Sequence, residues 1–243
     1  MRDYEFEFSS RVDFIKRVLS ESGQRGIVFG NSGGKDCTLV GILCKAACAD
    51  TVGIILPCSS KRNYGADRED AEMIAQQFGI EARTVDLSPV RDALMTSLAK
   101  ASDVSDMAAS NIAPRLRMAA LYAIAQSEGR LVAGTGNRSE TYMGYFTKWG
   151  DSAHDFNPIS DLTVTEIYEF LAFLGAPQHI IEKAPSAGLF EGQTDEGEMG
   201  ISYDAIDAFL LTGCAGGENL SIINRYHSGS EHKRRDIARY KSI

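Results

Sequence analysis

One stretch of this chain has the composition of a phosphate-binding loop: Gly30, Asn31, Ser32, Gly33, Gly34, Lys35, Asp36 and Cys37. Residues without Cβ let consecutive backbone N–H groups converge on one concave nest, and a helix beginning behind the nest adds positive potential. The pattern is not a Walker A loop, which would need glycine at 29 and Ser or Thr at 36, where Phe29 and Asp36 stand. An acid inside a phosphate loop repels its ligand unless a cation lies between them. Asp36 therefore points to magnesium, which binds phosphate oxygens together with one or two carboxylates. A plain strand-to-helix turn, with Asp36 in the first helical turn, is the bland alternative.

The neighbouring pattern puts this loop on an α/β scaffold. GIVFG at 26–30 is a short apolar run ending in glycine, and TLVGILCKAACA at 38–49 has helical apolar spacing. The unit recurs as TVGIILP at 51–57, a polar loop, a helix over 67–79 and a third strand over 81–88. Such alternation predicts parallel strands joined by right-handed crossovers. An amphipathic helix over 9–22, behind a Ser cap and ended by Gly23, precedes this core. Two helical stretches within 88–109 and a long helix over 111–126, with Pro114 in its first turn, follow it. RLVAGTG at 130–136 reads as a fourth buried strand, and a helix over 163–174 ends at Gly175 before Pro177. Residues 184–200, rich in small, acidic and glycine residues, predict a mobile surface loop. A final helical pair at 203–212 and about 217–228 leads to a basic tail. The carboxyl edge of the sheet would collect the loops at 30–37, 57–66 and 134–151, the place where open parallel sheets bind ligands.

Composition narrows the function classes. The 243 residues are 44% hydrophobic and 24% charged, suited to one large α/β domain spanning 1–243. A net charge of −8 disfavours a protein built to hold nucleic acid. No apolar run of 18 residues offers a membrane span, and the N-terminus lacks a basic-then-apolar leader, so the expected location is cytoplasmic. Five cysteines without a CxxC pair make disulfides and zinc poor readings. The second glycine element, Gly134 to Ser139, only approaches the dinucleotide fingerprint and lacks its downstream acid.

SGGKDC at 32–37 resembles the SGGxDS pyrophosphate loop of N-type ATP pyrophosphatases. NIAPRLRM (111–118), GTGNRSE (134–140), GYFTKWGD (144–151), KAPSAGL (183–189), DEGEMGISYDAID (195–207) and SEHKRR (230–235) together resemble ammonia-dependent NAD synthetases over nearly the whole chain. The resemblance implies a doubly wound, mostly parallel sheet flanked by helices, of the adenine nucleotide alpha-hydrolase type. It implies that ATP adenylates the carboxylate of deamido-NAD and that ammonia then displaces AMP. By matching motif, Gly30 to Cys37, Thr135 and Ser186 would hold ATP, and Asp36 and Glu140 would bind Mg2+. Arg115, Lys148, Asp155, His232 and Lys233 would hold deamido-NAD. Asp36, Lys148 and Asp151 would act in catalysis, with Asp151 near the ammonia as a possible base. A homodimer is implied, and free ammonia is expected as the nitrogen source because the synthetase pattern leaves no amidase segment.

Outside the motif, Arg115 and Arg117 read as solvated face charges, Lys148 as a surface lysine, Asp155 as a turn acid and His232 as a solvated tail residue. Two positions depart from the family. Cys37 replaces a serine, trading a hydroxyl donor for a weak thiol. Val164 replaces a lysine directed at ATP phosphates, so Val164→Lys is expected to strengthen ATP binding unless Lys35, Lys183 or Arg138 supplies the charge. The rival functions are a tRNA-modifying sulfurtransferase and a nucleotide-binding module without turnover.

Overall fold

The computed structural model describes residues 2–58, 64–183 and 194–240. Its centre is a sheet of four parallel strands, β1 (Gly26–Gly30), β2 (Thr51–Ile55), β3 (Glu81–Thr84) and β4 (Arg130–Ala133), in the order β3-β2-β1-β4. Ile27 of β1 pairs with Thr51 of β2 on one side and with Leu131 of β4 on the other. The chain winds outward from β1 to β3, then returns to add β4 on the opposite side. The switch point between β1 and β4 opens a crevice at their carboxyl ends.

Side-chain alternation along β1 divides the core. Ile27 and Phe29 face one layer, packed on α1 (Tyr4–Ser22) and α2 (Lys35–Ala47), while Val28 faces the other, packed under α6 (Ile112–Glu128). The remaining helices before α6 are α3 (Ala66–Gln77), α4 (Ser88–Leu98) and α5 (Asp106–Ser110). After β4 come α7 (Arg138–Met143), α8 (Val164–Phe173), α9 (Gln178–Glu182), α10 (Asp195–Met199), α11 (Tyr203–Thr212), α12 (Gly217–Gly229) and α13 (Glu231–Arg234). Met143, Val164, Met199, Ile201, Tyr203, Ile206 and Ile223 form a third apolar cluster beyond the sheet's carboxyl edge. That cluster carries the C-terminal helices over the crevice.

Most expected elements are present, with three differences. α1 begins at Tyr4, not near Ser9, because Asp3 caps it by accepting from the Phe6 N–H. The chain over 194–200 is not loop: Thr194 caps a short helix by accepting from the Gly197 N–H, and Asp195 and Met199 are buried. Residues 184–193, the rest of that expected loop, lie outside the described residues, as does Ser186. Strands β2, β3 and β4 stop earlier than their apolar runs. All five cysteines are free thiols, and no helix is long and apolar enough to cross a membrane among the described residues.

Candidate active site

The glycine loop leaves β1 and enters α2 pinned on both flanks. The Asn31 N–H extends the β1 ladder to the Ile54 carbonyl at 2.8 Å, and its amide donates to the Ala71 carbonyl of α3 at 3.1 Å. Gly33 lies at φ +70, where an added Cβ would also meet the Asp67 carbonyl at 2.4 Å. Glycine is required there by conformation and by space. Gly34 is the N-cap of α2 and supplies no side-chain cap, so amides at the head of a 13-residue helix face the crevice. The Cys37 thiol is buried against the Ser32 hydroxyl at 3.2 Å. Burial pushes its pKa up, with hydrogen bonds from Ser32 and Thr135 opposing.

Asp36 and Glu140 arrive from β1 and β4 and meet at Asn137. The Asn137 amide donates to Asp36 Oδ1 at 3.0 Å, and its backbone N–H donates to Glu140 Oε2 at 3.1 Å. The Glu140 N–H donates back to Asn137 Oδ1 at 2.9 Å, completing a capping box at the start of α7. Burial, then the charge of Asp36, holds the Glu140 carboxyl well above the usual carboxylate range, with Lys35 opposing. The Glu140 carboxyl, held back from ionising beside Asp36, suits a cation that would stabilise its charge. Two carboxylates plus phosphate oxygens match the ligands magnesium takes, so the residues fit that ion. Behind them Asp207 accepts from Ser139 Oγ at 2.5 Å and from the Thr165 N–H at 2.7 Å, locking α7 to the head of α8.

These groups line one cavity of about 730 Å³, within the size range of small-molecule sites. Gly30, Asn31, Ser32, Gly34, Lys35, Asp36, Cys37, Thr135, Glu140, Asp151 and Lys233 all line it. Asp151 sits in the turn after α7, where Oδ1 accepts from the Thr147 N–H at 2.9 Å. Trp149 in that turn adopts φ +63, a left-handed conformation that costs a bulky residue of order 1–3 kcal/mol and clusters at functional sites. Asp151 lines the cavity and is exposed at its mouth. The surrounding protein pushes its pKa up, opposed by the hydrogen bond from Thr147 and the charges of Lys233 and Arg117. Lys233 donates to the Gly144 and Phe146 carbonyls, each at 2.8 Å, and burial lowers its pKa.

Other expected site residues stand apart. Lys148 donates to the His232 carbonyl at 2.6 Å, and Arg115 reaches the Lys148 carbonyl at 3.4 Å, forming a rim group outside the cavity lining. Asp155 does not line the cavity either. Its carboxylate accepts from the Val132 N–H at 2.7 Å and from the Tyr122 hydroxyl at 3.1 Å, bracing β4. Val164 is buried among Met143, Met199 and Ile201 and does not line the cavity. Of the three proposed substitutes for its charge, Lys183 is tied to Asp67 at 2.8 Å and Asp70 at 2.6 Å, and Arg138 donates to the Leu210 carbonyl at 3.0 Å. Lys183 and Lys35 both line the cavity, and Arg138 does not.

Sequence reasoning undervalued Arg117. Pro114, Arg117, Met118 and Leu121 share the α6 face that lines the cavity, and Arg117 Nε donates to the Leu56 carbonyl at 3.0 Å. Burial lowers its pKa. Their i, i+3, i+4, i+7 spacing was the available signal, because it separates Arg117 from the outward Arg115.

Residues 7–237 match the family model described as NAD synthase. A relative from Carboxydothermus hydrogenoformans, named an NH(3)-dependent NAD(+) synthetase, is 44% identical over 236 residues, covering 96% of each chain. The solved NMN synthetase of Francisella tularensis superposes with a TM-score of 0.93 at 34% identity, covering 100% of both chains. The NH3-dependent NAD synthetase of Campylobacter jejuni superposes with a TM-score of 0.80 at 27% identity, covering 99% of this chain and 100% of that one.

Proposed function

The chain belongs to the NAD synthase family and is an ammonia-dependent NAD synthetase, an ATP-consuming ligase, and from that premise we propose how its residues divide the work. The whole of 1–243 acts as one synthetase domain in the cytoplasm, on ATP, ammonia and deamido-NAD. The backbone amides of Ser32, Gly34 and Lys35 hold the polyphosphate, and Thr135 and Ser186 serve the rest of ATP. Asp36 and Glu140 hold Mg2+, which supplies charge neutralisation on the departing pyrophosphate. The substrate carboxylate attacks the α-phosphate, its C–O–P bond forms as the bond to pyrophosphate breaks, and Arg117 and Lys233 counter the anionic charge that meets in the cavity. Ammonia then adds to the acyl carbon and AMP departs. Asp151, raised in pKa by its surroundings, takes the proton that the attacking nitrogen sheds. Arg115, Lys148, Asp155 and His232 serve the outer part of the dinucleotide.

The meeting of Asp36 and Glu140 beside the open head of α2 carries this assignment. Asp36→Asn and Glu140→Gln each remove one charge that holds the neutralising ion. Each should cut turnover by orders of magnitude while circular dichroism stays native; a wild-type rate in either folded variant overturns the metal assignment.

A homodimer accounts for an open face. The 11-residue helix α4 buries none of its residues, and Val90 and Leu94 on it and Met107 on α5 are exposed. Arg115, Ala119 and Ala123 on α6 are exposed as well. A second copy seated there would cover the patch and approach the rim group of Arg115, Lys148 and His232.

One observation favours a second reading of the acid substrate. Of the five residues assigned to the dinucleotide, only Lys233 lines the cavity, and the NMN synthetase aligns more closely in three dimensions than the Campylobacter enzyme. On this reading the same adenylation and amidation act on nicotinic acid mononucleotide. Comparing kcat/KM for the mononucleotide and dinucleotide acids decides it: a preference for the dinucleotide supports the first reading, a preference for the mononucleotide the second.

A further inference from the structure

Lys35 occupies the first helical position of α2, where a lysine usually reaches solvent. Here the side chain is only 6% exposed. Its Nζ donates to Asp36 Oδ2 at 2.8 Å and lies 5.7 Å from the ring centroid of Tyr203 and 6.0 Å from that of Tyr168. The other Asp36 oxygen accepts from the Asn137 amide at 3.0 Å, and Asn137 in turn holds Glu140 through its backbone N–H. Cation, two carboxylates and amide thus form one closed group that opens on the cavity beside the glycine loop. Even with both carboxylates ionised, the two of them and one ammonium leave at most a single net negative charge.

A free divalent cation approaching this group meets the repulsion of the ammonium and finds only that residual charge. A polyphosphate in the adjacent nest changes the balance. It brings several negative charges and gives the ammonium a second anionic partner, so metal, phosphate and Lys35 can all be paired at once. We propose that Lys35 is a positioning residue that makes metal binding at Asp36 and Glu140 depend on the nucleotide, so that the ion enters with ATP and not ahead of it. The coupling is reciprocal: whatever the phosphate gains from the ion, the ion gains from the phosphate.

This inference rests on the assignment of the metal to Asp36 and Glu140, and its test separates the two. Mn2+ alone serves as probe, with the free ion followed by electron paramagnetic resonance during titration of the full chain, so no turnover is required. Lys35→Met keeps the length and apolar body of the side chain and removes the charge. It should bind Mn2+ on the order of tenfold or more tightly than wild type, and Lys35→Met combined with Glu140→Gln should lose that gain. Metal-free ATP should bind Lys35→Met more weakly than wild type by a similar factor. Equal or weaker Mn2+ binding by folded Lys35→Met overturns the role of Lys35 alone. A gain that survives Glu140→Gln means the ion is held elsewhere, and the assignment of the pair falls with it. Should Lys35→Met not fold, Lys35→Gln carries the same expectations, and failure of both to fold marks the lysine as purely structural and overturns the proposal.

Discussion

Replacing Asp151 with Asn separates a proton acceptor from a turn residue. The Asn side-chain oxygen can still accept from the Thr147 N–H, now 2.9 Å from Asp151 Oδ1. The turn has other bonds of its own: the Gly150 N–H donates to the Thr147 carbonyl at 2.9 Å, and Ser152 Oγ donates to the same carbonyl at 3.1 Å. Only the negative charge and the basic lone pair are lost. General base catalysis contributes about 10²–10⁴-fold, so kcat at saturating ammonium should fall by that order. Stability should move the other way. The surroundings raise the folded-state pKa of Asp151, so the folded protein binds that proton more tightly than the unfolded chain. Its stabilising effect is complete below the ordinary aspartate pKa of about 4 and is lost as pH rises through the raised value. At neutral pH the ionised carboxylate therefore burdens the fold, and Asp151→Asn should melt no lower than wild type and show a flatter decline of melting temperature with pH. The assay is AMP release at saturating ATP and acid substrate, paired with melting curves across pH. A folded Asp151→Asn with wild-type kcat, or one that loses stability without losing rate, refutes the reasoning.

Gly33→Ala combines a positive φ with a Cβ 2.4 Å from the Asp67 carbonyl, and urea unfolding should show a loss of more than about 1 kcal/mol together with weakened ATP binding. Val164→Lys places an ammonium in an apolar cluster; it should cost about 3–5 kcal/mol in urea unfolding and give no gain in ATP affinity, against the expectation from sequence alone. Arg117→Met should raise KM for the acid substrate on the order of tenfold or more, whereas Arg115→Met should leave the adenylation half-reaction closer to wild type, as read by pyrophosphate release.

The alternation of elements was legible because each strand is a short apolar run stopped by glycine or a polar loop, and each helix carries a cap or a glycine stop. The α1 boundary was missed because Tyr4 to Phe8 alternates aromatic and acidic residues. The cap at Asp3 and the ties from Arg2 to Glu7 and Glu166 override that local pattern. The helix at 195–199 is hidden by its composition; the Thr194 cap and the burial of Met199 favour it, and the buried Asp195 carboxylate accepts from the Tyr203 hydroxyl at 3.2 Å. Within the site, the glycine loop and the Asp36–Glu140 pair were readable from motif. Their link through Asn137 was not, because it needs the strand order. The motif points to Arg115, whereas helical phase puts Arg117 on the face that lines the cavity. The consequence of Val164 depended on knowing which side of α8 faces the apolar cluster.

Transfer of oxygen tests the central claim most directly. The acid substrate, labelled with ¹⁸O in its nicotinate carboxylate, is incubated with the enzyme, ATP, magnesium and ammonium, and the products are separated for mass spectrometry. If the carboxylate attacks the α-phosphate and ammonia then displaces AMP, one labelled oxygen appears in AMP for each amide formed and the pyrophosphate carries none. Label in pyrophosphate or inorganic phosphate, or amide formation without labelled AMP, would contradict it.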